Sequence, residues 1–271
     1  MKFLRSVFVV GLVLSASAAA CRAESVGVGY YVSRDANPMV GQNENPNFGR
    51  LTLLYNHGNH FHSIGRFGGG PNRLPEGTRA PITLFSGSGD MEGRFVSKRY
   101  DDGSPSAEYS DLRFESIRSL SGFDAGTPES ILFNSSSRRW VSGPEHPDPA
   151  RQLSLEGSLV ALEVVSLSAG LHASIGDQVA STTGDRLELG AGDTLSSLLS
   201  FFTDAGIAPL TNLTATFRLI DLSTSTALGG SGDFRFELQT IPEPGSIALV
   251  GVGLLGLIGV RWRRSRRPRL A

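Results

Sequence analysis

The spacing of apolar and polar residues changes character along the chain. Between positions 24 and 240 the apolar runs are only four to eight residues long, and clusters of Gly, Pro, Asn and Asp separate them. Runs of that length with that punctuation predict β-strands over 26–32, 50–55, 81–85, 93–96, 111–117, 130–133, 152–155, 158–165, 186–189, 213–220 and 233–238. Alternation is clearest in Thr214-Ala215-Thr216-Phe217-Arg218-Leu219-Ile220 and Phe234-Arg235-Phe236-Glu237-Leu238. A period of two there turns the phenylalanines inward and the arginines and glutamate outward. Residues 194–202 predict a short helix. The expected fold class is therefore all-β: a β-sandwich, built as two small sandwich-like halves or as one elaborated one. An N-terminal β domain takes 24–142, a Pro-rich linker 143–150 and a C-terminal β domain 151–240. Two loose echoes fit related halves. His62-Ser63-Ile64-Gly65 recurs as His172-Ala173-Ser174-Ile175-Gly176, and Gly87-Ser88-Gly89-Asp90 as Gly230-Ser231-Gly232-Asp233.

The two ends follow a different rhythm. Residues 1–23 pair a basic start (Lys2, Arg5) with an uncharged apolar stretch over 7–14 and a run of small residues over 15–20, the build of a secretory signal peptide. Cleavage is expected after Ala20 or Ala23, while Cys21 behind three alanines is faintly similar to a lipoprotein site. At the other end, residues 247–260 carry no charge and are followed by Trp262 among Arg261, Arg263, Arg264, Arg266, Arg267 and Arg269. A helix of that length spans roughly 21 Å at about 1.5 Å per residue, short of a hydrocarbon core of about 30 Å. Snorkelling arginines and an interfacial Trp extend its reach, and the arginine cluster marks the cytoplasmic side. A single transmembrane helix within 241–271 is predicted, with the body outside. The Gly251-Val252-Gly253-Leu254-Leu255-Gly256 inside it has the letters of a dinucleotide fingerprint but no βαβ context.

Pro242-Glu243-Pro244, the glycine-rich apolar stretch and the closing Arg261, Arg263 and Arg264 together resemble the bacterial PEP-CTERM sorting signal. The resemblance covers only about the last 30 residues. It implies export through the secretion translocon, recognition by an exosortase with processing near Pro242-Glu243-Pro244, and delivery to the cell envelope or extracellular matrix.

Charge sharpens this picture. Once the ends are set aside, residues 24–241 keep 16 Lys+Arg against 25 Asp+Glu, a net charge of −9, and a single lysine, Lys98. Such a body is poorly suited to nucleic acid, whose phosphates demand clustered positive charge. The one cysteine, Cys21, lies in the leader, so the body has no thiol chemistry. No G-x-S-x-G, H-E-x-x-H or P-loop motif is present, and a non-enzymatic protein is expected. A metal-dependent hydrolase would also need a general base, and none stands out.

The densest candidate chemistry is His57-Gly58-Asn59-His60-Phe61-His62. If a strand resumes after a turn at 56–59, His60 and His62 share one face and Gly58 lets His57 fold back beside them. Three neutral imidazoles suit Zn²⁺, with water or a carboxylate in fourth place; a His pair at i and i+2 also suits copper or nickel. The plainer alternative is a polar turn that happens to be histidine-rich. His172 is a candidate fourth ligand, and His146, between prolines, reads as a solvated linker residue. Residues 50–67, Pro81-Ile82-Thr83-Leu84-Phe85-Ser86-Gly87-Ser88-Gly89, Arg138-Arg139-Trp140 and 213–236 resemble a group of PEP-CTERM proteins under the zinc-uptake repressor. They are similar, more weakly, to actinobacterial surface-anchored repeats with an H-x-H motif. That resemblance implies zinc capture at the envelope through His57, His60 and His62. The competing expectation is a structural or adhesive matrix protein that meets envelope polysaccharide without metal.

Overall fold

The computed structural model describes residues 29–35, 38–40, 42–56, 61–74, 81–97, 112–122, 124, 126–127, 153–224 and 227–241. The signal-peptide stretch, the predicted strand at 130–133, the linker 143–150 and the sorting segment from Pro242 onward lie outside them. Within them the chain is all-β. Its strands are β1 (Tyr30–Arg34), β2 (Met39–Val40), β3 (Asn43–Glu44), β4 (Leu51–Asn56), β5 (Phe61–Ile64), β6 (Asn72–Leu74), β7 (Ile82–Ser86), β8 (Phe95–Ser97) and β9 (Leu112–Ser116). After these come β10 (Leu159–Leu167), β11 (Leu171–Ile175), β12 (Gln178–Ala180), β13 (Arg186–Ala191), β14 (Ser196–Thr203), β15 (Asn212–Asp221) and β16 (Phe234–Thr240). The described helical turns are short 3-10 pieces at Gly89–Met91, Ile117–Gly122 and Gly192–Thr194.

Fourteen strands form one sheet in the order β13-β10-β15-β16-β7-β8-β14-β9-β1-β4-β5, with β6 beside β16, β11 on β14 and β12 on β11. Strands from 24–142 and from 151–240 are interleaved in it. β14 pairs with β9 and β8, and β16 pairs in parallel with β6 and β7 end to end along one edge. Buried side chains from both segments form one core. The described parts of the two segments therefore pack as one body.

The core shows how the sheet folds over so that distant strands meet face to face. Tyr30 on β1 stacks on Tyr55 and Phe114 and meets Phe236 of β16 edge-on at 5.5 Å, although five steps of strand order separate β1 from β16. Phe236 also touches Phe201, Phe217 and Phe234, with ring centroids 5.9 to 6.1 Å apart. All four of these phenylalanines are at most 1% exposed. Offset and edge-on geometries match positive ring edges to negative faces, adding to the hydrophobic gain.

The short helix expected at 194–202 is instead β14. Leu199, Phe201 and Thr203 are buried while Ser200 and Phe202 are half-buried, the period of a strand. Its first half bonds to β9 and its second to β11 and β8. Those partners are distant in sequence, and local propensity carries no record of them. The strand expected at 152–155 is irregular over residues 153–155, where Asp193 accepts bonds from the Leu155 amide (2.8 Å) and the Ser154 hydroxyl (2.7 Å). The Gly-Ser-Gly-Asp echo does not extend to structure. The first copy is the turn joining β7 to β8, with Gly89 at φ +61°. The second runs without a turn into β16, and a Cβ on Gly232 would stand 2.0 Å from the Arg66 carbonyl oxygen.

Candidate functional site

Of the three candidate zinc ligands, His57 and His60 lie outside the described residues. His62 sits in β5 with its Cα paired to that of Tyr55, and Asn56 pairs with Phe61, so residues 57–60 connect the two strands of an antiparallel hairpin. Among the described residues no group of three or more His, Cys, Asp or Glu could hold a metal ion.

His172, the proposed fourth ligand, is committed elsewhere. It stands opposite Phe202 across β11 and β14 and stacks on that ring at 4.9 Å. Its Nδ1 lies 2.8 Å from the Ser181 hydroxyl and its Nε2 3.0 Å from Asp204 Oδ1. The residue types are those of a nucleophilic relay, but the surroundings serve a turn. The Ser181 and Thr182 amides both donate to Asp185 Oδ2 at 2.8 Å, so the donors nearest the hydroxyl are already spent. Those two bonds hold the Asp185 carboxyl below its ordinary pKa.

The strongest arrangement of charge is on the outer face of β13, β10 and β15. Glu163 is directly opposite Arg186 on one side and Arg218 on the other, so strand register alone builds a row across three strands. Arg218 donates to Glu163 Oε1 through Nε (2.8 Å) and Nη2, and Arg186 donates to Oε2 through Nε at 3.2 Å, with its Nη2 forming an ion pair to the same oxygen. Burial of the Glu163 side chain, 11% exposed, works to raise its pKa. The bonds and charges of Arg218 and then Arg186 outweigh it, and the carboxyl is held below its ordinary value. A second row lies alongside: Glu237 takes Arg73 at 2.6 Å and Arg235 at 3.2 Å.

Next to the first row is a cavity of about 500 Å³, lined by Arg50, Phe67, Glu163, Arg186, Arg218 and Asp221, among others. The Arg50 guanidinium lies 3.5 Å from the centroid of the Phe67 ring, and its Nη1 donates to the Gly230 carbonyl at 3.3 Å. Asn47 accepts the Phe67 amide at 2.7 Å, fixing the backbone from which that ring projects. Asp221 accepts the amides of Leu159, Ser223 and Leu228. Burial pushes its pKa up, and these bonds more than offset it, holding the group ionised below its ordinary value. Glycines shape the wall: a Cβ on Gly229 would approach Arg50 Cγ to 2.9 Å, and one on Gly230 the Leu219 carbonyl oxygen to 2.9 Å. Of these lining residues sequence reasoning set only Arg218 outward, through the alternation of β15. Arg50, Phe67 and Arg186 are far apart in the chain, and no local signal joins them.

The other end of the sheet delivers the chain to its C-terminal segment. Thr240, the last residue of β16, is fully buried. Its amide donates to the Thr211 carbonyl (3.0 Å), its carbonyl accepts the Leu210 amide (2.8 Å), and its hydroxyl donates to the Ala208 carbonyl (2.9 Å). The next amide, Ile241, donates to the Leu84 carbonyl at 2.8 Å. Beyond this point the predicted membrane helix lies outside the described residues; among those, no helix is long and apolar enough to cross a membrane.

No curated protein and no solved structure matches the chain. One family model does, over residues 240–264, and it leaves the β-body unmatched. Those residues join the strand end pinned by Thr240 to the Pro-Glu-Pro and arginine cluster, and the chain thus carries the PEP-CTERM protein-sorting motif, which supports an exported protein sorted by exosortase.

Proposed function

We propose that this protein is a non-enzymatic binding protein of the cell envelope, held at the inner membrane by its C-terminal helix until exosortase processes it near Pro242-Glu243-Pro244. The observation that carries the reading is the sorting motif beginning at Thr240, where the β-body ends in a satisfied strand terminus. The body is then an exported module and the tail its handle. Expression of the full chain in cells with and without exosortase tests this. Processed protein is expected only with the enzyme, and Pro242→Ala combined with Glu243→Ala and Pro244→Ala is expected to leave the chain unprocessed. Processing that ignores both the enzyme and the substitutions would overturn the reading.

A second reading gives the body zinc, captured through His57, His60 and His62. Its support is the β4–β5 register, which places residues 57–60 between the paired strands with His62 two residues beyond His60. Equilibrium dialysis of the full chain with Zn²⁺ is expected to show retention at neutral pH that is lost near about pH 5 as imidazoles protonate. Equal retention by a variant with alanine at all three histidines would remove this reading.

A further inference from the structure

We infer that the cavity lined by Arg50, Phe67, Arg186 and Arg218 binds a carboxylated saccharide, a uronate unit of an extracellular polymer. Its volume of about 500 Å³ lies within the range of small-ligand sites, roughly 300 to 1,000 Å³. The lining holds three arginines against two acids, a local excess of positive charge on a body whose net charge is −9. The two acids are already engaged: Glu163 by two guanidiniums and Asp221 by three backbone amides. They hold the site in shape while the arginines remain able to donate. Each guanidinium has five N–H groups. Arg50 commits Nη1 to Gly230, Arg218 commits Nε and Nη2 to Glu163, and Arg186 commits Nε to it. The side chains of Arg186 and Arg218 are 57% and 48% exposed, so their remaining donors reach solvent and any anion there. Guanidinium forks match carboxylates in plane and spacing, which favours that anion.

Phe67 turns the anion site into a sugar site. It is 44% exposed beside the cavity, with Arg50 stacked on its ring and its backbone fixed by Asn47. An exposed, positioned aromatic surface packs against the C–H face of a pyranose, while the arginines take the carboxylate at its rim. The location argues for a polymer rather than a membrane headgroup. β15 and β16 pair from Phe217↔Phe234 to Asn212↔Gln239, and the cavity lies beyond the first of these pairs. Thr240, where the chain departs toward its membrane segment, lies just past the last. At about 3.3 Å per residue the two are roughly 20 Å apart, at opposite ends of the strand pair.

This inference rests on the exported reading only for access to such a polymer, and binding by the purified full chain is measured without any sorting step. The experiment compares an oligogalacturonate with the same oligomer after its carboxyls are reduced to alcohols, with inorganic phosphate, and with vesicles containing phosphatidylglycerol. Saturable binding of the oligogalacturonate is expected, with the reduced oligomer at least about tenfold weaker, the loss of one charge-assisted hydrogen bond. Arg186→Gln and Phe67→Ala, whose wild-type side chains are exposed, are each expected to weaken binding several-fold, with thermal melts lowered by at most a few degrees. Should a variant melt early, Arg50→Gln and the reduced oligomer on wild-type protein still decide the question. Equal binding of the two oligomers, no binding of either, or unchanged binding in all three variants would overturn the proposal. Phosphate or vesicle binding with the same arginine dependence, and none by oligogalacturonate, would transfer the site to another anion and overturn it as well.

Discussion

The two faces of β10, β15 and β16 are made by alternate residues of the same strands, yet they obey different physics. Inward lie Val160, Leu162, Val164, Phe217, Leu219, Phe234, Phe236 and Leu238, each at most 1% exposed. Outward lie Glu163, Arg218, Arg235 and Glu237, arranged as ion rows whose half-exposed arginines cover the less exposed carboxylates. The inner face stabilises by area and shape, so every atom removed leaves a gap. Pairing governs the outer face, where a lost partner is largely replaced by water. Stability therefore resides mostly on one side of each strand, leaving the other free to carry recognition. A period of two is enough to separate the two duties within one element.

That contrast can be broken in graded steps. Phe236 is the hub of the aromatic cluster, and Phe236→Ala is expected to cost about 3–5 kcal/mol, read as a large drop in denaturation midpoint. A smaller inner-face loss, on the scale of a surface change, would show that the two faces do not differ. Gly232→Ala comes next, at about 1–3 kcal/mol, because the added methyl would meet the Arg66 carbonyl oxygen at 2.0 Å and force the backbone beside the cavity to move. Glu163→Gln is expected to cost about 1 kcal/mol at pH 7, since both arginines are about half exposed and rehydrate readily. Its pH dependence follows from the direction of the shift. Glu163 has a folded pKa below its unfolded one, so its contribution is full above the ordinary glutamate value and disappears as pH falls through the folded pKa. The stability gap between wild type and Glu163→Gln is therefore expected to close in acid, and a gap that widens there would contradict the bonding described. Arg235→Gln, about 39% exposed and one of two arginines on Glu237, is expected to change stability by less than about 0.5 kcal/mol.

The regions differ too in how far the amino-acid sequence discloses them. Alternation on β15 and β16 placed Phe217, Phe234 and Phe236 inward and Arg218, Arg235 and Glu237 outward, as the structure has them. Such a pattern is written locally, one residue after the next. β14 was expected as a helix because its pairing with β9 and β11 is set by segments far away in the chain. The arginine cavity escaped for the same reason: Arg50, Arg186 and Arg218 meet only through strand register and a glycine-rich return. The histidines at 57, 60 and 62 lie within six positions, and proximity along the chain is a clustering that the sequence displays without a fold. The sorting motif was legible in full, being contiguous and recognised as linear sequence.

β16 is an interior strand, hydrogen-bonded to β15 along one edge and to β6 and β7 along the other, and it ends where the sorting motif starts. A pull on the tail, whether from a membrane or from a surface to which the tail becomes attached, acts along the axis of that strand. The load is then shared by many bonds in shear at once rather than opening them one by one from an edge. For a chain fastened by its C-terminus, departure from an interior strand routes the load through ladders on both of that strand's edges.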